Sequence, residues 1–260
     1  MTDRPLRILI TNDDGVDAPG IEIMCAIASE LSDDVWVVAP DGNQSGVGHR
    51  FSFGRELHFI QHGEKRFAIK DGSPADCVVA GCTYLLKDHK PDLVLSGVNN
   101  GQNLGDILHC SGTAAGAREG TMQNVLSIAM SQAVDYEHGR DVVWDIARAF
   151  GAQMVRKILA LPVNRDTYYS VNFPVGQPAD VTGIRVVPHQ RFSISPFRYY
   201  PSDNPGKFFI AIPETPLPLD HGADFHVLHH EKAITVTPLS LLATDMDAVS
   251  RLDGTLTLDQ

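Results

Sequence analysis

Three observations predict an α/β fold built on a mostly parallel sheet. Short apolar runs at Ile8–Ile10, Val35–Ala39 and Leu93–Leu95 have the continuous hydrophobicity of strands buried on both faces. Each run stops in a loop dense in glycine, asparagine, aspartate or serine. Helical periodicity then follows, with Ile21, Met24, Cys25, Ile27, Ala28 and Leu31 spaced to one side of a helix. Repeated strand, loop and helix is the signature of β-α units, in which the loops gather at the carboxyl ends of the strands.

The first unit runs from Ile8 to Leu31, and its loop carries two adjacent carboxylates, Asp13 and Asp14, before Gly15. Neighbouring carboxylates repel unless a cation sits between them, and a hard divalent ion suits such an oxygen-rich place. The same residues can also simply turn the chain and cap the helix. The second strand, Val35–Ala39, leads into 40–49, where Gly46 and Gly48 permit close backbone approach and Asn43 and Ser45 offer neutral oxygens. Residues 51–72 alternate loosely and read as a β-excursion. Ser73 before Pro74 marks a helix start, with the helix expected to reach about Leu86.

The third strand is expected over Pro91–Ser96, and its loop holds Asn99 and Asn103. Ser111, Gly112 and Thr113, followed by small helix formers, read as a helix N-terminus able to receive an anion on its backbone amides, or as an ordinary cap. Further elements are expected at Val125–Met130 (strand), Val142–Leu159 (helix), Tyr168–Phe173 (strand) and Ile184–Val187 (strand). From Gln190 the texture shifts to Phe192, Phe197, Tyr199, Tyr200, Phe208 and Phe209, then Pro213, Pro216 and Pro218, which fits a hairpin or arm better than more sheet. Such aromatics commonly dock on another subunit. His226, His229 and His230 lack carboxylates at ligand spacing and read as structural histidines.

Composition narrows the function. The 260 residues are 43% hydrophobic with a net charge of −11 and no basic run, which argues against a nucleic-acid platform. No apolar run is long enough to cross a bilayer, and Cys25, Cys77, Cys82 and Cys110 form no Cys-x-x-Cys pair, so free thiols and a cytoplasmic location are expected. The first loop sets two negative charges where a dinucleotide-binding turn needs glycines, and a Walker A lysine is missing, so NAD and ATP-hydrolysis readings fall away. Three strand ends delivering Asp13 and Asp14, Asn43 and Ser45, and Asn99 with Asn103 describe a site for Mg²⁺ or Mn²⁺.

Five motifs in order carry a resemblance: residues 11–20 (Thr-Asn-Asp-Asp-Gly-Val-Asp-Ala-Pro-Gly), 37–46, 72–78, 91–106 and 111–116 (Ser-Gly-Thr-Ala-Ala-Gly) closely resemble the SurE family of 5′/3′-nucleotidases. The resemblance implies a Rossmann-like three-layer α/β sandwich over 1–190 and a β-rich extension over 191–260 that exchanges between subunits of a homodimer or homotetramer. It implies one divalent cation per subunit on Asp13, Asp14, Ser45 and Asn99. Asn43, Asn103, Ser111, Gly112 and Thr113 would line the phosphate. The implied reaction is hydrolysis of nucleoside 5′- and 3′-monophosphates, with short polyphosphate cleaved by some members, through attack of a metal-activated water or through an aspartyl-phosphate on Asp13. The rival is a non-catalytic nucleotide-binding stress-response module on the same scaffold. The chain departs from the family's usual pattern at Cys110, where an aromatic residue precedes Ser-Gly-Thr, and at Arg50, where a serine is common.

Overall fold

The computed structural model describes residues 4–135, 139, 141–162, 164–211, 219–253 and 255. Strands β1 (Ile8–Thr11) and β2 (Val35–Pro40) flank helix α1 (Pro19–Ser29), and β3 (Phe59–Gly63) and β4 (Arg66–Ile69) make the β-excursion. Helix α2 (Pro74–Ala80) opens on a Ser73 capping box closed reciprocally by Asp76. It gives way to a π-helical turn over Gly81–Leu85, so the helix expected to run to Leu86 changes winding part-way.

Strand β5 (Leu93–Asn100) is longer than its apolar run and carries Asn99 and Asn100 within it. Helix α3 (Gly112–Met122), β6 (Leu126–Gln132), α4 (Asp145–Leu159) and β7 (Thr167–Phe173) complete the repeating part. Helix α4 starts three residues later than its periodicity suggested, because Val142 and Val143 precede Trp144, which occupies the N-cap. Beyond it lie β8 (Ile184–Val186), the strands β9 (Arg198–Pro201) and β10 (Phe208–Ala211), α5 (Asp224–His229), β11 (Ile234–Ser240) and α6 (Met246–Leu252).

The main sheet has nine strands in the order β3-β4-β2-β1-β5-β6-β7-β11-β8. From β4 to β7 all neighbours are parallel, while β3 and β11 run antiparallel to their core partners. Side-chain alternation splits the core into two layers. Ile8, Ile10, Leu93 and Leu95 pack with α1 and α4 residues such as Ile27 and Met154. Leu9, Val38 and Val94 point the other way, onto Cys77, Val78 and Cys82 of α2 and its π-helical turn. Helices cover both faces, which is the α/β sandwich.

Residues 191–260 divide in two. Among the described residues β9 and β10 pair only with each other, and Tyr199, Phe208, Phe209 and Ile210 on them are exposed. β11 instead returns to the main sheet between β7 and β8. The prolines at 213, 216 and 218 lie outside the described residues.

Charged side chains tie together the amino ends of the central strands. Arg4 makes a two-pronged contact with Asp92, which also accepts the Arg7 amide. Asp34 accepts from Arg7 Nε, Lys65 Nζ and Trp36 Nε1, so the starts of β1, β2 and β4 share one carboxylate. Partial burial pushes the Asp34 carboxyl up, but these donors outweigh it and hold it at about 2. Its folded value lies below the ordinary 3.8, so the stability it supplies is present above that value and is lost as pH falls through about 2. Asp34→Asn is expected to cost roughly 1 kcal/mol at neutral pH after allowance for solvent screening. Urea midpoints should show the gap to wild type closing between about pH 4 and pH 2; a pH-independent gap would contradict this.

Candidate functional site

Asp13 and Asp14 leave the carboxyl end of β1 as the sheet geometry requires. Asn12 braces their turn, its side chain donating to Gly15 O and accepting the Gly15 amide. Gly15 adopts a φ of +112° and its Cα faces Gly42, where a Cβ would come within 3.2 Å of the Gly42 Cα. The first loop is therefore pressed against the one after β2. Two backbone bonds sew them together, Val16 N–H to Pro40 O at 2.8 Å and Gln44 N–H to Asp13 O at 2.7 Å. Gln44 lies between the two neutral candidates, and the Asn43 side chain accepts the Ser45 amide in a local Asx turn at 2.8 Å. Asn43 and Ser45 are both exposed on this loop.

The third loop arrives from β5. The Asn100 amide donates to Asp14 Oδ2 at 3.2 Å. Asn99 spends its side-chain N–H on Gly101 O, which keeps its amide oxygen available as a ligand. From the far side comes α3. Its N-cap Ser111 accepts from the Ala114 amide, and Thr113 Oγ1 donates to Asp13 Oδ1 at 2.7 Å. Gly112 makes that approach possible: a Cβ there would sit 2.7 Å from Asp13 Cβ and 2.8 Å from its Oδ2. Asn103 lies beneath, with its amide donating to Ser131 Oγ and Thr113 Oγ1 and its backbone exchanging bonds with Asn172.

Of the residues singled out in the sequence, Asp13, Gly112, Thr113 and Asn103 thus form one connected cluster. Asp14 meets β5 through the Asn100 amide, one residue beyond Asn99, whose side chain makes no bond to either carboxylate among the described residues. Asn43 and Ser45 come near through the backbone of Gln44, without a direct side-chain bond to either carboxylate among the described residues. Sequence reasoning passed over Ser131 and Asn172, both buried. Their signal was a polar residue near the carboxyl end of an otherwise apolar strand. It also passed over the His49 Nε2 to Glu119 Oε2 contact of 3.0 Å, which fastens the second loop to the side of α3.

The electrostatics are lopsided. Burial pushes the Asp13 carboxyl up to about 6, against the Thr113 hydroxyl bond that lowers it, and the Asp14 charge adds to the rise. Burial also raises Asp14, opposed by the Asn100 amide. Among the described residues no arginine, lysine or histidine forms an ion pair with either carboxylate. Two crowded acids without a cationic partner, beside neutral oxygens, make a donor set that fits a hard divalent ion. Among the described residues no group of three or more His, Cys, Asp or Glu gathers as a metal centre, so any cation here would draw on amide and hydroxyl oxygens or water as well.

An α/β sandwich that collects paired acids, neutral oxygens and a helix N-terminus at one sheet edge belongs to the class of open α/β proteins that bind ligands at the carboxyl ends of their strands. Within that class the chain belongs to the SurE family, whose model, described as survival protein SurE, matches residues 8–195. It is 45% identical over 250 residues to a protein of Methylobacterium radiotolerans named 5′-nucleotidase SurE, covering 95% of this chain and 97% of that one. A Nitrobacter winogradskyi protein of the same name is 50% identical over 181 residues, 70% of this chain and 71% of its own length. The crystal structure of the SurE protein from Aquifex aeolicus superposes with a TM-score of 0.83 at 32% identity, covering 95% of this chain and 98% of that chain.

Alanine in a helix ordinarily gains up to about 1 kcal/mol over glycine. At Gly112 the sign should reverse, because the added methyl must displace Asp13. Gly112→Ala is expected to lose about 1–3 kcal/mol in urea unfolding, the range of an overpacked core; unchanged or raised stability would show that Asp13 gives way freely.

Proposed function

We propose that this chain is a metal-dependent phosphomonoesterase that hydrolyses nucleoside 5′- and 3′-monophosphates, and short polyphosphate, to release phosphate. The observation that carries the reading is the buried Asp13 carboxylate, held at the N-terminus of α3 by Thr113 and pressed against Asp14 with no cationic side chain paired to it among the described residues. The 5′-nucleotidase SurE relatives at 44–45% identity over nearly the whole chain support the activity and the substrate class. Asp13, Asp14, Ser45 and Asn99 would hold one Mg²⁺ or Mn²⁺.

Bound there, such an ion supplies Lewis acidity toward a phosphoryl oxygen and lowers the pKa of a coordinated water. The chain's own residues do the rest. The Thr113 hydroxyl fixes one Asp13 oxygen, so the other is oriented before substrate arrives. The Asn103 amide donates to that hydroxyl and is itself placed by donating to Ser131 Oγ. With Thr113 engaged by Asp13, the Ser111–Gly112 end of the helix and the Asn43 amide are the groups left to receive phosphate oxygens. Three loops locked by backbone bonds need little reorganisation, which is what charge stabilisation in the transition state requires.

The four cysteines are all free, which supports a reducing, cytoplasmic setting. Among the described residues no helix is long and apolar enough to cross a membrane. The exposed aromatic face of the β9–β10 hairpin supports assembly as a homodimer or homotetramer through the extension.

Phosphate release from a panel of nucleoside monophosphates should require Mn²⁺ or Mg²⁺, stop in excess EDTA, and fall at least about 100-fold in Asp13→Asn and Asp14→Asn. The cation should also raise the melting temperature of wild type and do so less in either variant. Folded protein that releases no phosphate with any metal would overturn the reading in favour of the non-catalytic nucleotide-binding module.

A further inference from the structure

We infer that His109, backed by His189, is the platform on which the base of a nucleotide substrate stacks. The inference rests on the nucleotidase reading above and names the part of the molecule that tells a nucleotide from a bare phosphate ester.

The argument begins with position. His109 closes the short 3₁₀ turn Gly105–His109, and only Cys110 separates it from the N-cap of α3. The Cys110 carbonyl accepts the Gly48 amide at 2.9 Å, and a Cβ on Gly48 would meet the His109 carbonyl oxygen at 3.3 Å. The run 109–112 is therefore wedged between the second loop and Asp13. His109 lies three residues from Gly112, so its Cα is within about 10 Å of the phosphate end. That is the reach of a nucleoside monophosphate from phosphorus to base.

Chemistry and rigidity agree. The His109 side chain is exposed, and its ring lies 6.5 Å from that of His189 at 86°, an edge-on support that limits its rotation. Burial holds the His189 imidazole below its ordinary value, against the nearby Asp106 carboxylate that raises it. His189 is placed by its neighbours: its Nε2 is 3.4 Å from Asp106 Oδ1, and Arg191 Nε is 3.1 Å from the same oxygen. The two strips of chain that carry the rings are fixed to each other by the buried Asp224, whose carboxylate accepts the Gly105 amide at 2.9 Å and the Gln190 amide at 2.8 Å. Imidazole rings are established stacking partners for unpaired bases.

The other aromatic run near the loops, His49, Phe51 and Phe53, is less suited. His49 is bonded to Glu119, which sits seven residues along α3 from Gly112 and so about 10 Å down its side, away from the strand ends.

The test compares wild type, His109→Ala, His109→Phe and His189→Ala in two assays. One is binding of the fluorescent nucleoside ethenoadenosine, which needs no turnover. The other is the ratio of kcat/KM for AMP to that for ribose 5-phosphate, with the loss expected mainly in KM. His109→Ala should weaken ethenoadenosine binding and lower the ratio, each about tenfold; His109→Phe should restore both, and His189→Ala should give a smaller loss. Unaltered binding and ratio in His109→Ala, or no restoration by phenylalanine, would overturn the inference. If wild type released phosphate from neither ester, the nucleotidase reading would fall by itself, and ethenoadenosine affinity would still decide for or against the platform.

Discussion

The structure turns on a carboxylate in the wrong place for a carboxylate. Asp13 is 4% exposed, adjoins a second acid and sits at the foot of α3. A charge in such surroundings needs compensation, and the fold offers it partially: the Thr113 hydroxyl and the positive end of the helix, but no cationic side chain among the described residues. Much else is arranged around that deficit. Gly112 is small because Asp13 is there, Asn103 is buried beneath Thr113 with Ser131 receiving its amide, and Gly15 and Gly42 touch because the second loop has to come close.

Stability and chemistry occupy opposite ends of the same strands. At the amino ends, acids are matched by bases: Asp92 with Arg4, and Asp34 with Arg7 and Lys65. At the carboxyl ends Asp13 and Asp14 have no ion-pair partner among the described residues. Between them lie the apolar runs of β1, β2 and β5, fully covered by helices, which keep the two kinds of electrostatics apart. A parallel sheet makes this polarity natural, since every central strand points its loops the same way.

The repeating part of the fold was legible because each signal was local. Ile8–Ile10 with Asp13 just beyond, or Ser73-Pro74 at a helix start, needs no knowledge of distant chain. The main miss was β11. Its sequence, Ile-Thr-Val-Thr-Pro-Leu-Ser, has a proline inside it, ordinarily a sign against a central strand. The proline is tolerated because β8 pairs only with 234–236, and among the described residues no strand pairs with that side of β11 at Pro238. The site was legible in its strand-end residues and illegible where it depends on distant partners. Ser131 and Asn172 look like ordinary strand residues until the register sets them under Asn103. Asp224, near a histidine cluster, gave no hint that it joins two segments from elsewhere in the chain.

The place of β11 bears on how the chain can be made. Among the described residues β8 joins the sheet only through β11, although it is synthesised some fifty residues earlier. The parallel strands β4, β2, β1, β5, β6 and β7 can assemble in the order they emerge, whereas the edge beyond β7 must wait for the last strand to be threaded into it. Until then the outer rim of β7 is an open row of amides and carbonyls, and Asp224, just ahead of β11, is not yet there to clasp the Gly105 turn. Final assembly of that wall of the site is thereby coupled to completion of the sheet, so a nascent chain carries its acids before it has the frame that shapes them.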